Sequence, residues 1–205
     1  MNEKNFIIIE MKSSHVDEVV ATHLAAFPDF FLSFLGRRFI RELYSSFVEH
    51  ETSVALVAID STSGGLVGFA AGSLAPKRFF KSLVARRWWA FGIASLPAVI
   101  KRPKATLRIF RALSYRGDSP IDRDRAVLSS IAVTPSQKKS GLGSVLLGEW
   151  VNKVRGRGSA GCYLTTDAEN NDAVNRFYKK NGWNVESEYI TPEGRKMFRY
   201  ILDWE

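Results

Sequence analysis

Apolar and polar positions change rhythm several times along the chain, and each change marks an element. Phe6 to Lys12 alternates and predicts a strand. Ser14-His-Val-Asp17 has the spacing of a capping box. Behind it, Val16, Val19, Val20, His23, Leu24 and Phe27 recur at helical spacing until Pro28, which cannot continue a helix. A second amphipathic helix is predicted from Leu32, Leu35, Phe39, Leu43 and Phe47. Val54 to Ile59 and Leu66 to Leu74 read as two strands of a hairpin about the turn Ser61-Thr-Ser-Gly-Gly65.

After a long segment broken by Pro76, Gly92, Pro97 and Pro103, alternation returns at Ala126 to Val133. Leu142, Val145, Leu146, Trp150, Val151 and Val154 then predict a helix from about Gly141 to Arg155, ended by Gly156-Arg-Gly-Ser159. Gly161 to Thr166 predicts a strand, and Asp172 to Lys180 a short helix that Gly182 stops. Two last strands flank Thr191-Pro-Glu-Gly194; in the second, Phe198, Tyr200, Leu202 and Trp204 alternate. This order is that of an α/β fold with a mixed central sheet flanked by helices. One domain over 1–205 is expected, with a largely helical insertion at about 76–117, between strands 3 and 4.

Composition excludes several classes. With 45% hydrophobic and 24% charged residues the chain is neither disordered nor membrane-like. Cys162 is the only cysteine, and His15, His23 and His50 are the only histidines, so neither a disulfide framework nor a structural zinc site is expected. The apolar run at the N-terminus is shorter than a signal peptide needs, and Trp88 to Ile100 falls short of the roughly 20 residues of a membrane span. A cytoplasmic protein needing no metal is the expectation.

Charge changes the picture more. The net charge is +8, yet Pro76 to Gly117 holds 11 Lys and Arg and no acid, leaving 18 cations against all 21 acids elsewhere. A basic segment on a mildly acidic body suits an anionic partner. It would grip a phosphorylated acceptor, make a peripheral membrane contact through 86–104, where Trp88, Trp89 and Phe91 adjoin Arg86 and Arg87, or form a solvated face. No known nucleic-acid reading module appears, and no specific nucleic-acid partner is expected.

Candidate chemistry sits in Leu128-Ser-Ser-Ile-Ala-Val-Thr-Pro-Ser-Gln-Lys-Lys-Ser-Gly-Leu-Gly-Ser144. A strand runs into a basic turn whose glycines open a helix. The first N–H groups of a helix lack internal partners and attract anions, and glycines let a diphosphate approach the backbone. Neither the Walker A spacing nor Gly-x-Gly-x-x-Gly is matched. Further on stands Asn170-Asn-Asp-Ala-Val-Asn-Arg-Phe-Tyr-Lys-Lys-Asn-Gly-Trp183.

Together these stretches resemble the GNAT superfamily of acyl-CoA-dependent N-acyltransferases. Lys138-Lys-Ser-Gly141-Leu-Gly143 fills the family's phosphate-loop pattern, with Lys138 where Gln or Arg is usual. Asn171, Val174, Phe177, Tyr178, Gly182 and Trp183 fill its second motif, with Val174 where a smaller residue is common. The resemblance implies acetyl-CoA as donor. It implies that Ile131, Ala132 and Val133 pair with the pantetheine arm, and that Lys138, Lys139, Ser140, Gly141, Leu142, Gly143 and Ser144 surround the pyrophosphate. Asn171 would contact pantetheine as well as cap its helix, Tyr178 would lie near the sulfur, and Phe177 is a further cofactor-binding candidate.

The chemistry demands a neutral amine, a donor for the oxyanion and a donor for the departing thiolate. Tyr178 is the expected sulfur donor; since a phenol is normally less acidic than a thiol, full transfer would be uphill by about 2 kcal/mol, so a hydrogen bond suffices. Some family members carry a Glu on the strand before the loop, where this chain has Ser129 and Ser130. His23, on the buried stripe of the first helix beside the loop Phe27-Pro-Asp-Phe-Phe31 that the resemblance places at the acceptor site, is a candidate base, with Asp29 a second candidate. The missing Glu favours an amine of low pKa, such as that of a small molecule, or a base acting through water; with the cationic segment the first reading suits an amino sugar, nucleotide-linked in one version. A protein N-terminus or lysine as acceptor, and a non-catalytic acyl-CoA-binding module, are the alternative readings.

Overall fold

The computed structural model describes residues 6–28, 31–83, 85, 125–192 and 194–204. Seven strands form one mixed sheet: β1 (Phe6–Glu10), β2 (Ser53–Asp60), β3 (Leu66–Ser73), β4 (Arg125–Val133), β5 (Gly161–Asp167), β6 (Asn184–Ile190) and β7 (Lys196–Asp203), in the order β1-β2-β3-β4-β5-β7-β6. Every neighbouring pair is antiparallel except β4 with β5. That parallel pair is joined by the crossover helix α4 (Leu142–Gly156), as a parallel pair requires.

Helices cover both faces. On one side α1 (Val16–Ala26), the short α2 (Phe31–Phe34) and α3 (Arg37–Glu49) bury Val19, Val20, Ile40, Leu43, Tyr44 and Phe47 against Phe69 and Ala71 of β3. On the other side α4 and α5 (Asp172–Lys180) bury Leu146, Trp150 and Tyr178 against Ala70, Leu128, Leu164 and Tyr200. Trp150 is fully buried and donates its indole N–H to the Val54 carbonyl at 3.0 Å. Gly72 makes this contact possible: a Cβ there would collide with the Trp150 ring and the Val127 carbonyl.

Most predicted elements stand within a residue or two of their expected bounds. Three local devices differ. The second amphipathic stretch is two helices, because Gly36 adopts φ +88° between them, a conformation that breaks helical continuity. The apolar stripe survives the break, and Leu32, Leu35, Phe39, Leu43 and Phe47 are all buried. At the start of α1, Ser14 lies inside a 3₁₀ turn over Ser13–His15 and does not cap. The His15 ring accepts the Lys12 N–H at 3.0 Å, while Asp17 pairs with Arg41 at 3.1 Å. Finally, Asn171 is the N-cap residue of α5 but makes no side-chain cap bond. Of the expected insertion, residues 76–83 are helical; its remainder, including 86–104, lies outside the described residues.

Candidate active site

The site begins where the sheet opens. β4 and β5 pair only through Arg125–Gly161, Ala126–Cys162 and Val127–Tyr163, and then part. From Leu128 to Val133 the edge of β4 facing β5 has no strand partner among the described residues. On its other edge, β4 slips register against β3: Ala71 faces Ser130 while Gly72 faces Leu128, which leaves Ser129 as an extra residue. Such a bulge bends the strand and re-aims its side chains. Before it, Ala126 and Leu128 pack with α4; beyond it, Ile131 takes that side and Ala132 joins the core under α1 and α3. The Ser129 hydroxyl is buried and has no hydrogen bond among the described residues.

β4 leads into a 3₁₀ turn over Pro135–Gln137 and then the basic loop. Lys139 has φ +66° and Gly141 φ +87°, so the backbone reverses hand twice before α4 begins. Ser140 donates its hydroxyl to the Gln137 carbonyl at 2.8 Å and accepts the Leu142 N–H at 3.2 Å. The Ser144 and Val145 N–H groups turn back to the Gly141 carbonyl. This leaves the N–H groups of Lys139, Gly141 and Gly143 without a hydrogen bond among the described residues. Among the described residues a Cβ at Gly143 would meet only the Phe177 ring, at 3.5 Å, which leaves room above it. Lys138 and Lys139 are both exposed beside this loop.

The contact between Gly143 and Phe177 also joins the two motifs, because Phe177 lies on α5 next to Tyr178. Tyr178 is 7% exposed and packs against Phe177, Trp183 and Tyr200. Burial, reinforced by Tyr200, pushes its phenol well above the ordinary tyrosine range, so it stays protonated near pH 7 and keeps a proton to donate. The Asn171 amide donates to Thr166 Oγ1 at 2.8 Å and to the Asp167 carbonyl at 3.1 Å, tying the start of α5 to the end of β5. Asn175, which periodicity leaves inconspicuous, is buried and does related work. Its amide nitrogen reaches the Asp167 and Ala168 carbonyls, and its oxygen accepts the Tyr200 hydroxyl at 3.2 Å. Its only sequence signal is a polar amide one turn into a short helix.

His23 lies on the opposite side of the sheet, fully buried, with Nδ1 2.7 Å from the Tyr44 hydroxyl. Desolvation lowers its pKa to about 4, so it is neutral near pH 7. Tyr44, also fully buried, has its phenol pushed up by burial and drawn partly back by the nearby Ser130 of β4. The sequence placed His23 near the site but missed Tyr44, which stands one position off the apolar stripe of α3. Asp29 lies outside the described residues. Among those residues no cluster of His, Cys, Asp and Glu could hold a metal ion, and no helix is long and apolar enough to cross a membrane.

Comparison with known proteins agrees with this geometry. No curated protein sequence matches the chain. Solved structures share the fold at low identity. The ribosomal-protein-S18-alanine N-acetyltransferase of Escherichia coli is 17% identical, covering 97% of this chain and 93% of its own, with TM-score 0.59. An aminoglycoside 6'-acetyltransferase of type Ii is 16% identical, covering 96% of each chain, with TM-score 0.61. A GNAT family acetyltransferase from Brucella melitensis, solved with acetyl-CoA, is 14% identical, covering 99% of this chain and 90% of its own, with TM-score 0.55. The family model for GNAT acetyltransferases matches residues 20–183, from α1 through the parting strands and the glycine loop to the end of the α5 motif. With that match over most of its length, the chain belongs to the GNAT acetyltransferase family and is an acyltransferase.

Proposed function

We propose that this enzyme transfers an acetyl group from acetyl-CoA to the primary amine of a small molecule, by direct attack within a ternary complex. The observation that carries the reading is the unpaired β4 edge running into a loop with three uncommitted amides. A coenzyme with a diphosphate and an amide-bearing arm matches both. The N–H groups of Lys139, Gly141 and Gly143 would take the diphosphate, with Lys138, Ser140, Leu142 and Ser144 around it. Ile131, Ala132 and Val133 would pair with the pantetheine amides, and Asn171 and Phe177 would border the arm. The open space over Gly143 supports this fit.

The amine nitrogen bonds to the thioester carbonyl carbon and the carbonyl oxygen becomes an oxyanion; as the carbonyl re-forms, the C–S bond breaks with its electron pair on the sulfur, and the nitrogen gives up its surplus proton to water. A main-chain N–H beside the bulge would hold the oxyanion. Tyr178 would donate a hydrogen bond to the departing sulfur, and its raised pKa makes complete proton transfer late or absent. The amine must arrive neutral. At pH 7 that costs about 4.6 kcal/mol for a lysine-like amine and about 1 kcal/mol for one of pKa near 7.8. The acceptor is therefore a low-pKa amine, and the 11 cations between Pro76 and Gly117 favour an anionic one such as a nucleotide-linked amino sugar.

The test is thiol release from acetyl-CoA across a panel of amino sugars, nucleotide-linked amino sugars, peptides with free N-termini and lysine derivatives. Turnover should be greatest with an anionic low-pKa small molecule. Turnover with peptides alone moves the acceptor to proteins. Saturating acetyl-CoA should raise Tm by mass action, and an unchanged Tm would remove the donor assignment.

A further inference from the structure

Two buried arginines belong to one ion-pair cluster on the face of the sheet opposite Tyr178, and they are used differently. Tyr200 packs against Tyr178, so its chain neighbour Arg199 points to the other face. Arg125 commits every nitrogen of its guanidinium, Nε and Nη2 to Asp203 and Nη1 to Glu186. Arg199 has only 7% of its side chain exposed, yet it makes no hydrogen bond among the described residues. Its Nε is 2.6 Å from Glu186 Oε2, an ion pair without hydrogen-bond alignment. One flat face of the guanidinium lies 4.3 Å over the Tyr163 ring. The Nη1–Nη2 edge is left uncommitted.

A charge so far from water is costly unless hydrogen bonds compensate it, and a single carboxylate shared with Arg125 does so poorly. Stacking on a ring occupies the face of a guanidinium and leaves its in-plane donors free. Two anionic oxygens in that plane would complete the set.

Position ties this edge to the reaction. Tyr163 is the last residue of β5 that pairs with β4, through Val127. The Arg199 guanidinium therefore sits over the apex of the split. Along β7, Arg199 stands opposite Thr165, where β5 has already left β4. The bulge at Ser129 is two residues beyond Val127, roughly 7 Å along the strand. The Ser129 hydroxyl is a second buried polar group at this opening with no hydrogen bond among the described residues.

We propose that Arg199 binds an anionic group of the acceptor, so that the substrate class is amines bearing a carboxylate or a phosphate close to the nitrogen. The inference rests on the acetyl-transfer reading above and deepens it. The Nη1–Nη2 edge takes two oxygens of the anionic group. Tyr163 and Glu186 are positioning residues, one holding the plane of the guanidinium and the other its Nε side. An amine tethered to that anion enters the gap between β4 and β5 from the face away from Tyr178.

The experiment uses the full chain and matched acceptors: an amino sugar with and without a phosphate, and an amino acid against its amide. The wild-type enzyme should favour the anionic member of one pair about tenfold in kcat/KM, chiefly through KM, and the pair that shows it tells phosphate from carboxylate. Arg199→Gln should erase most of that preference. Arg199→Lys, which keeps the charge and loses the two-pronged edge, should retain only part. The preferred amine should also raise Tm of the wild-type protein, and raise it less in either variant, a readout independent of turnover. Equal treatment of both members of each pair by the wild-type enzyme overturns the proposal. So does a preference untouched in the variants. A loss shared equally by charged and uncharged members also overturns it, since that is the mark of a purely structural arginine. If Arg199→Gln does not fold, Arg199→Lys decides by the same ratios. Failure of the underlying reading looks different: the wild-type protein then releases no thiol with any amine and gains no stability with acetyl-CoA, and this proposal falls with it.

Discussion

At the scale of single residues, environment decides chemistry more than identity does. Tyr178 and Tyr44 are both buried phenols whose pKa is raised, yet they face opposite sides of the sheet. If Tyr178 serves the departing sulfur, Tyr178→Phe should lower kcat by ten- to a hundredfold with little change in acetyl-CoA affinity, because the hydrogen bond strengthens only as the sulfur gains charge. Steady-state kinetics with a Tm titration separates the two quantities. His23 makes a stability prediction. Its folded pKa is about 4 against an ordinary value of 6.5, so the unfolded chain binds the extra proton between those limits. Stability should therefore fall as pH drops from about 6.5 to 4, by up to about 3 kcal/mol, and change no further from this source below that. Urea unfolding at pH 7 and pH 4.5 should show a smaller drop in His23→Gln than in the parent protein.

At the scale of elements, periodicity made the strands and helices legible, because a half-buried element must write its buried face into the sequence. The two glycines of the loop and the α5 helix with its closing Gly182 were legible too, since their spacing is local. What the pattern could not show depends on a partner. The slip at Ser129 is defined only by the opposing Ala71 and Gly72. The parting of β4 from β5 leaves no trace in either strand's own alternation. The role of Asn171 likewise needed the end of β5 in place: the amide that local rules assign to capping reaches instead for Thr166 and Asp167. The glycine loop gives an element-level prediction. Gly141→Ala should cost about 1 kcal/mol, because φ +87° is unfavourable for a residue with a Cβ. Gly143→Val should fold with little loss, since the new Cβ meets only Phe177. It should nevertheless weaken acetyl-CoA binding at least tenfold by filling the space the diphosphate needs, as measured by the Tm shift. Wild-type affinity in Gly143→Val would place the donor elsewhere.

At the scale of the molecule, one ion-pair network holds the two halves of the sheet together below the opening. Arg125, at the start of β4, binds Asp203 of β7 through two nitrogens at 2.7 and 2.5 Å and Glu186 of β6 at 2.8 Å. Arg199 reaches Glu186 at 2.6 Å and lies 4.3 Å over the Tyr163 ring of β5. The network spans β4 to β6 at the end where β4 and β5 still pair, so it acts as the hinge pin of the split. Arg125→Ala should cost about 2 kcal/mol in urea unfolding, the partners being partly solvated. Arg125→Lys should recover only part, because an ammonium cannot reproduce the two-nitrogen grip on Asp203. The split has a consequence of its own. An ordinary sheet hides its raw margins at its two outer flanks, but here a third and fourth margin face each other in the middle of the molecule. An amide-bearing arm lying between them, as in the proposed reading, would stand as a temporary eighth rung, and its departure would leave the weave open again.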